Sequence, residues 1–282
     1  MKIFRNFFKW ILPASLRLVI RDIFFDAIDL ADSMINGKKD LIPPRKMIYK
    51  IGWGDYEKIG SGLVSNLIKI GKLEQTDRVL DVGCGAGRVA VALTKYLSAD
   101  AEYRGFDIDI EMINWCQRNI TPRFPNFQFT FSDIYNGSYN PNGEYKASEY
   151  QFPYENEYFD IVFLASVFTH MMTADMQHYL SEISRVLKKG GRCMMTYFLI
   201  NDEAKERIEA GLSKLDLKNE QNGYYTTSKD NPENAVGYAE SEIGLLCISK
   251  GLTIVEPIFY GSWSGRSGNI GYQDIIFAKK NG

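Results

Sequence analysis

The sequence has little of several features that would point to particular protein classes. Only two of its 282 residues are histidine, and its four cysteines are scattered without a CxxC pair. Neither a zinc-binding spacing nor a disulfide framework is therefore predicted. Because unpaired thiols are typical of reducing compartments, we expect a cytoplasmic chain.

An excess of positive charge is also missing, and so is any long apolar run near the N-terminus. The formal net charge is −2, so the chain lacks the basic surface by which proteins neutralise nucleic-acid phosphates. We therefore predict no nucleic-acid partner. The longest charge-free stretch of the first 22 residues, Trp10 to Leu16, has seven residues, which is too short to span a bilayer.

Positive charge collects in one place, at the start of the chain. On a helix, residues 1–12 would carry an apolar stripe and a separate basic stripe. The stripes consist of Phe4, Phe7, Phe8 and Ile11, and of Lys2, Arg5 and Lys9. Three contacts stay open for this helix: its own domain, an anionic membrane surface, which would make the chain membrane-associated, or the second subunit of a homodimer.

Further along, the pattern changes from helical to alternating. Pro43-Pro44 breaks the first helical region, and from about residue 57 apolar strands alternate with amphipathic helices. We predict an N-terminal helical extension with a connector over residues 1–56 and an α/β domain over residues 57–282. Repeated βαβ units indicate one mostly parallel sheet covered on both faces. Residues 201–235 are predicted to be irregular.

The densest cluster of glycines is in "VLDVGCGAGR", residues 79–88, where an apolar strand ends and a helix begins. A dinucleotide fingerprint, GxGxxG, would place its third glycine at position 88, which is Arg88. Asp81 would also repel a pyrophosphate, because like charges repel. The motif therefore favours a ligand that carries positive charge.

This motif resembles the first motif of the class I methyltransferases that use S-adenosylmethionine (SAM). Similar strings follow in the family's order: "YRGFD" ending at Asp107, "FSD" ending at Asp133, "FDIVFLASVFTH" and "EISRVLKKGGR". The resemblance implies a Rossmann-like sandwich with a seven-stranded, mostly parallel sheet whose last strand is antiparallel. It also implies SAM as the cofactor.

Carried over position by position, the resemblance implies a set of cofactor-binding residues. Asp107 would bind the two ribose hydroxyls through its two carboxylate oxygens, and Asp133 would contact the adenine amino group. The implied SAM site consists of Asp81, Gly83, Cys84, Gly85, Gly87, Arg88, Asp107, Ile108, Met112, Ser132, Asp133, Ile134, Ala165 and Ser166. No metal is expected, because residues 166–169 replace the acidic and amide ligands of the metal-using branch.

His170 is the candidate catalytic residue. A hydroxyl or amine acceptor has to lose a proton, and neutral histidine is a common base for this step. We predict methyl transfer to a small polar metabolite or a glycan; a role for His170 in orienting a loop stays open, and so does a SAM-binding partner or sensor protein without catalysis. The other histidine, His178, is predicted to be solvated. The tyrosine-rich insertion 135–158 and the "FYGSWSGR" loop suit acceptor lids and plain solvent-exposed loops equally, so both alternatives stay open.

Overall fold

The computed structural model describes residues 14–37, 40–52, 54–267 and 270–282. The helix predicted over residues 1–12 lies outside these ranges. The contacts of the chain divide it into two compact units, Met1–Ile59 and Gly60–Gly282. The predicted boundary between residues 56 and 57 stays a prediction.

The described part of the first unit is helical. Helix α1 spans Ala14–Asn36, helix α2 spans Arg45–Lys50, and helix α3, Tyr56–Lys69, begins here and continues into the second unit. Pro44 precedes α2, where its fixed φ suits the start of a helix and its missing N–H costs nothing.

The second unit contains eleven strands within the described ranges. They are β1 (Arg78–Val82), β2 (Glu102–Asp107), β3 (Phe127–Phe131), β4 (Phe159–Leu164), β5 (Leu187–Tyr197), β6 (Leu199–Ile200), β7 (Asn219–Gln221), β8 (Tyr224–Thr226), β9 (Val236–Ala239), β10 (Leu252–Phe259) and β11 (Asp274–Lys280).

Seven of these strands form the main sheet, in the order β10-β11-β5-β4-β1-β2-β3. The pairs among β1 to β5 are parallel, whereas β11 is antiparallel to both of its neighbours, β5 and β10. The predicted fold, a seven-stranded and mostly parallel sheet with an antiparallel last strand, is confirmed. Central strands β1 and β4 are almost wholly buried, as expected for strands covered on both faces.

Helices connect the strands of this sheet. They are α4 (Arg88–Leu93), α5 (Ile110–Asn119), α6 (Thr173–Val186), α7 (Asp202–Glu209) and α8 (Glu240–Ser249), with short 3₁₀ turns at Phe168–His170 and Pro232–Asn234. A large apolar cluster packs α6 against β1, β4 and β5, and it includes Leu180, Ile183 and Met195. No described helix has the length and apolar character needed to cross a membrane.

The prediction that residues 201–235 are irregular is wrong. They contain α7 and a ribbon of β7 and β8, which joins β9 and β6 in a second, four-stranded sheet. This ribbon carries few apolar residues, so its sequence lacks a clear period, yet Tyr224 and Thr226 of β8 bury their side chains.

Of the two alternatives left open for the "FYGSWSGR" loop, a plain solvent-exposed loop does not fit the structure. Trp263 is fully buried, and its indole Nε1–H donates to Asp274 at 2.7 Å. The same carboxylate accepts from the backbone N–H groups of Leu199 and Gly261 at 2.7 and 2.6 Å. These three donors satisfy the buried carboxylate of Asp274. The loop is therefore anchored to the start of β11.

Candidate functional site

The glycine motif forms a tight loop between β1 and α4. Gly83, Gly85 and Gly87 all have positive φ, at 77°, 51° and 73°. Backbone conformations with positive φ favour glycine, which has no Cβ. At Gly83 a Cβ would in addition lie 2.5 Å from the side chain of Val167. Three glycines are therefore needed for the turn itself, which brings backbone N–H groups to the carboxyl edge of the sheet.

Asp107 ends the neighbouring strand β2 and is tied to this loop. Its Oδ2 accepts from the N–H of Gly85 at 2.7 Å, and its Oδ1 accepts from the N–H of Asp109 at 2.9 Å. Burial raises the pKa of Asp107 to about 6, although these amides act to lower it. The carboxylate is thus ionised at neutral pH, and each oxygen keeps a further lone pair for a hydroxyl donor.

Asp81 lies deeper, at the end of β1. Its carboxylate is 2% exposed and accepts a 2.6 Å hydrogen bond from the hydroxyl of Tyr103 on β2. Burial raises the pKa of Asp81 to about 8, with the charge of Asp107 adding to the effect. A positively charged ligand nearby would favour the ionised form of this carboxyl.

Ser132 and Asp133 follow β3 at the same edge. The tyrosine-rich insertion, residues 135–158, closes over them: the hydroxyls of Ser132 and Tyr150 lie 2.9 Å apart, and Asn140 donates to Oδ1 of Asp133 at 2.9 Å. The insertion thus packs on the predicted adenine side of the site rather than extending into solvent.

The remaining predicted cofactor residues lie at the carboxyl ends of β1, β2, β3 and β4 and in the helices that follow. Cys84, Met112 and Ile134 are buried, Arg88, Ile108 and Ala165 are half-buried, and Ser166 is exposed. Burial raises the pKa of the Cys84 thiol well above its usual value, which excludes a thiolate at neutral pH. Ser166, with φ 64°, donates from its hydroxyl to Gln273 at 3.0 Å.

His170 ends the 3₁₀ turn after β4. Its Nδ1 lies 2.8 Å from the backbone carbonyl of Glu233, and because a carbonyl only accepts, Nδ1 carries the proton of the neutral ring. Burial lowers the pKa of His170 from 6.5. The ring is therefore neutral at pH 7, with its lone pair on Nε2, which is the form a general base requires.

Two residues near His170 were not predicted from the sequence. The carboxylate of Glu233 lies against the insertion, close to Gly137. Burial raises the pKa of Glu233, although the backbone amides of Gly137 and Ser138 act to lower it. The ring of Tyr139 meets the His170 ring edge-on, with centroids 5.8 Å apart. Local sequence patterns do not predict this cluster, because its members are far apart in the chain. Tyr139 and His170 are 31 residues apart, and His170 and Glu233 are 63 residues apart.

His178 is not the solvated side chain that the sequence predicted. It is half-buried on α6, and its Nε2 lies 2.9 Å from the backbone carbonyl of Tyr150. The insertion covers the polar face of α6 at this point. The amphipathic pattern therefore identified the polar face of the helix correctly, but it did not predict that the insertion packs on that face.

The chemistry of these residues fits SAM. The carboxyl edge of the sheet carries Asp81, Asp107 and Asp133 beside a glycine loop, so it offers hydroxyl acceptors and negative charge. SAM offers a ribose diol, an ammonium and a sulfonium, whereas a pyrophosphate would be repelled. The fold and this donor set define a class I, SAM-dependent methyltransferase.

Comparison with protein families gives the same result. Residues 73–239, more than half of the chain, match the family described as methyltransferase domain, and the chain belongs to it. An uncharacterized methyltransferase of Schizosaccharomyces pombe is 30% identical over 119 residues, which cover 42% of this chain and 39% of that protein. The chain thus spans less than half the length of the curated relatives it matches.

Solved structures share the fold at low sequence identity. A SAM-dependent methyltransferase from Aquifex aeolicus has a TM-score of 0.52 and 19% identity, covering 82% of this chain and 96% of its own. The magnesium protoporphyrin IX methyltransferase of Synechocystis, solved with S-adenosylhomocysteine (SAH) bound, has a TM-score of 0.51 and 16% identity, covering 94% and 100%.

The raised pKa of Asp107 predicts how cofactor binding depends on pH. A ligand whose hydroxyls donate to the ionised carboxylate lowers its pKa, so affinity should rise steeply with pH up to about 6. Above that pH the rise should be shallower, and it comes from Asp81, whose pKa of about 8 a positively charged ligand would lower. Calorimetric titration of SAH between pH 5 and 7.5 checks this. The Asp107→Asn variant should bind more weakly and with a flatter pH dependence; an equally steep rise in that variant would contradict the assignment.

Proposed function

We propose that this chain transfers a methyl group from SAM to a hydroxyl or amine of a small polar metabolite or a glycan, and that it does so in the cytoplasm. The observation that carries the proposal is that a His170 ring protonated at Nδ1, a glycine loop and Asp107 all lie at the same edge of the sheet. Four free, buried cysteines support a reducing compartment.

Three of the predicted residues, all aspartates, would hold the cofactor. Asp107 accepts hydrogen bonds from the ribose hydroxyls, and Asp133 accepts one from the adenine amino group through the oxygen that Asn140 leaves open. The buried carboxyl of Asp81 lies at the end of β1, where the positive charge of a bound SAM would favour its ionised form. These contacts fix the cofactor for in-line attack, where alignment alone supplies much of the rate.

His170 handles the proton of the acceptor. When bound, SAM supplies a methyl carbon that its sulfonium activates, and transfer leaves SAH and the methylated acceptor. Nε2 of His170 takes the proton that the acceptor oxygen or nitrogen releases, and the carbonyl of Glu233 stabilises the resulting imidazolium through Nδ1–H. The carboxylate of Glu233 and the hydroxyl of Tyr139 support a polar acceptor with several hydroxyl or amino groups.

Transfer of label from SAM to candidate acceptors tests the proposal. The chain would be incubated with methyl-labelled SAM and with small-metabolite and glycan fractions, with the Asp107→Ala variant as the matched inactive control. We expect label in one fraction with the native chain only. If SAM binds and no fraction takes up label, the alternative of a non-catalytic SAM-binding protein replaces this proposal.

Methyl transfer should not depend on a divalent metal. Within the described residues, no three His, Cys, Asp or Glu side chains come together as a metal site, and Ser166 and Thr169 stand where the metal-using branch places ligands. Transfer to the acceptor identified above should therefore keep its rate in EDTA. Loss of activity in EDTA with recovery in magnesium would contradict this prediction.

A further inference from the structure

Helix α1 of the first unit has an unusually apolar exposed face. Eight large side chains in one half of its circumference are between 43% and 80% exposed. They are Leu16, Val19, Ile20, Ile23, Phe24, Leu30, Met34 and Ile35. Isolated exposed apolar residues are ordinary, but a continuous face of this length marks an interaction surface.

The other side of α1 is held by α2, which fixes the direction of the apolar face within this unit. Arg45 forms ion pairs with Asp29 and Asp32, the latter at 2.7 Å. The ring of Phe25 packs against Tyr49, with centroids 5.7 Å apart. These contacts occupy the face of α1 opposite to Ile23.

The spacing along the apolar face is that of a two-helix seam. Six residues follow one another in steps of four and three: Leu16, Ile20, Ile23, Ala27, Leu30 and Met34. Alternation of four and three places side chains on the a and d positions of a heptad, where each one packs into a hole of a facing helix. We name these six residues the α1 seam.

The charges beside the seam favour a protein partner over a lipid surface. Helix α1 contains four aspartates and two arginines, and Asp22 and Asp26 border its apolar face on one side. Helices that lie on anionic membranes carry lysine and arginine at this border instead. Arg21 pairs with Asp22 of its own helix at 2.7 Å, and Lys46 pairs with Asp26 at 3.3 Å, so these charges are compensated within one copy and offer no basic border to an anionic lipid surface.

The size of the face fits a pair of identical chains. A side chain of this kind presents on the order of 150 Å² when fully exposed, so eight of them at these exposures offer on the order of 700 Å² per copy. A standard stable interface buries about 800 Å² per partner. The face alone thus comes close to what a dimer needs.

We propose that this chain forms a homodimer in which the α1 seam of one copy packs against the α1 seam of a second copy. The proposal stands on the first unit alone and is independent of the proposed function. In such a symmetric pair, the exposed face of each copy packs against a helix with the same heptad spacing.

Sedimentation equilibrium of the full chain tests the proposal. We expect a dimer, and we expect Ile23→Glu to raise its dissociation constant by about 100-fold or more, because the variant buries a charge in the seam. Leu18→Glu is the matched control: Leu18 is exposed on the same helix but off the seam, so this variant should stay dimeric. SAH binding and helical content confirm that each variant is folded.

A gain-of-contact variant keeps the test independent of folding defects. Ala27→Leu enlarges a seam residue and should tighten the dimer by about tenfold. A monomeric native chain would overturn the proposal. Binding of that monomer to phosphatidylserine vesicles at low salt would make lipid the occupant, and no binding would mean that the chain covers its own face. A dimer that Ile23→Glu leaves unchanged, or that Ala27→Leu fails to tighten, would equally overturn it.

Discussion

Replacing Asp107 by alanine should weaken SAM binding by about 2 to 4 kcal/mol, which is roughly 30- to 800-fold. The loss combines two effects. The variant removes the ionised carboxylate that we propose as the acceptor for two ribose hydroxyls, and charge-assisted hydrogen bonds are the strong ones. It also frees the N–H of Gly85, which Asp107 holds at 2.7 Å, so the glycine loop loses its tie to β2.

The measurement is calorimetric titration with SAM and SAH, supported by thermal unfolding of each protein. Asp107→Asn separates the two effects, since an amide oxygen can still accept from Gly85 while the negative charge is gone. Asp100→Ala, an exposed aspartate just before β2, is the matched control and should bind normally. Unchanged affinity in a folded Asp107→Ala variant would remove the ribose assignment, and tight NADH binding without SAM binding would indicate a dehydrogenase.

Most of the main sheet could be predicted because its signals are local. A buried parallel strand appears as an apolar run, and an amphipathic helix appears as a 3.6-residue period. Strand β1, the glycine loop and α4 are adjacent in the chain, so ten residues were enough to predict the turn at Gly83 and Gly87. The same holds for Asp107, whose position follows from where β2 ends.

The errors concern residues whose environment comes from distant parts of the chain. Nothing beside His178 indicates that the carbonyl of Tyr150, 28 residues away, covers it. The ribbon of β7 and β8 is too short and too polar to show strand alternation, and it is fixed by pairing with β9. Trp263 was predicted to lie in a loop, which is correct, but its burial depends on Asp274.

On the acceptor side of the site, too, the environment of a key residue comes from a distant part of the chain. His170 was a candidate base because it follows β4, yet which of its ring nitrogens carries the proton depends on a carbonyl 63 residues later. Glu233 supplies this contact from a 3₁₀ turn within residues 201–235, which were predicted to be irregular. A backbone acceptor leaves no trace in the sequence, since any residue at position 233 carries the same carbonyl.

Replacing His170 by alanine should lower kcat by about 10²- to 10⁴-fold with the acceptor that the labelling experiment identifies. SAM affinity should change by less than about threefold, because no predicted cofactor contact involves this ring. At saturating SAM, the native kcat should rise with pH up to the lowered pKa of His170 and then level off, since only the neutral ring accepts a proton. In the variant this acidic limb should disappear.

His178→Ala is the matched control, because it removes the only other histidine and should keep the acidic limb. The two roles left open for His170 predict different results in this experiment. A ring that only orients the loop would, once removed, raise KM or loosen the insertion through Tyr139 while the pH profile kept its shape. A general base gives the opposite result, with KM retained and the limb lost. A His170→Ala variant within about tenfold of the native kcat, with the limb intact, would therefore assign His170 to the structure of the acceptor loop and require another base.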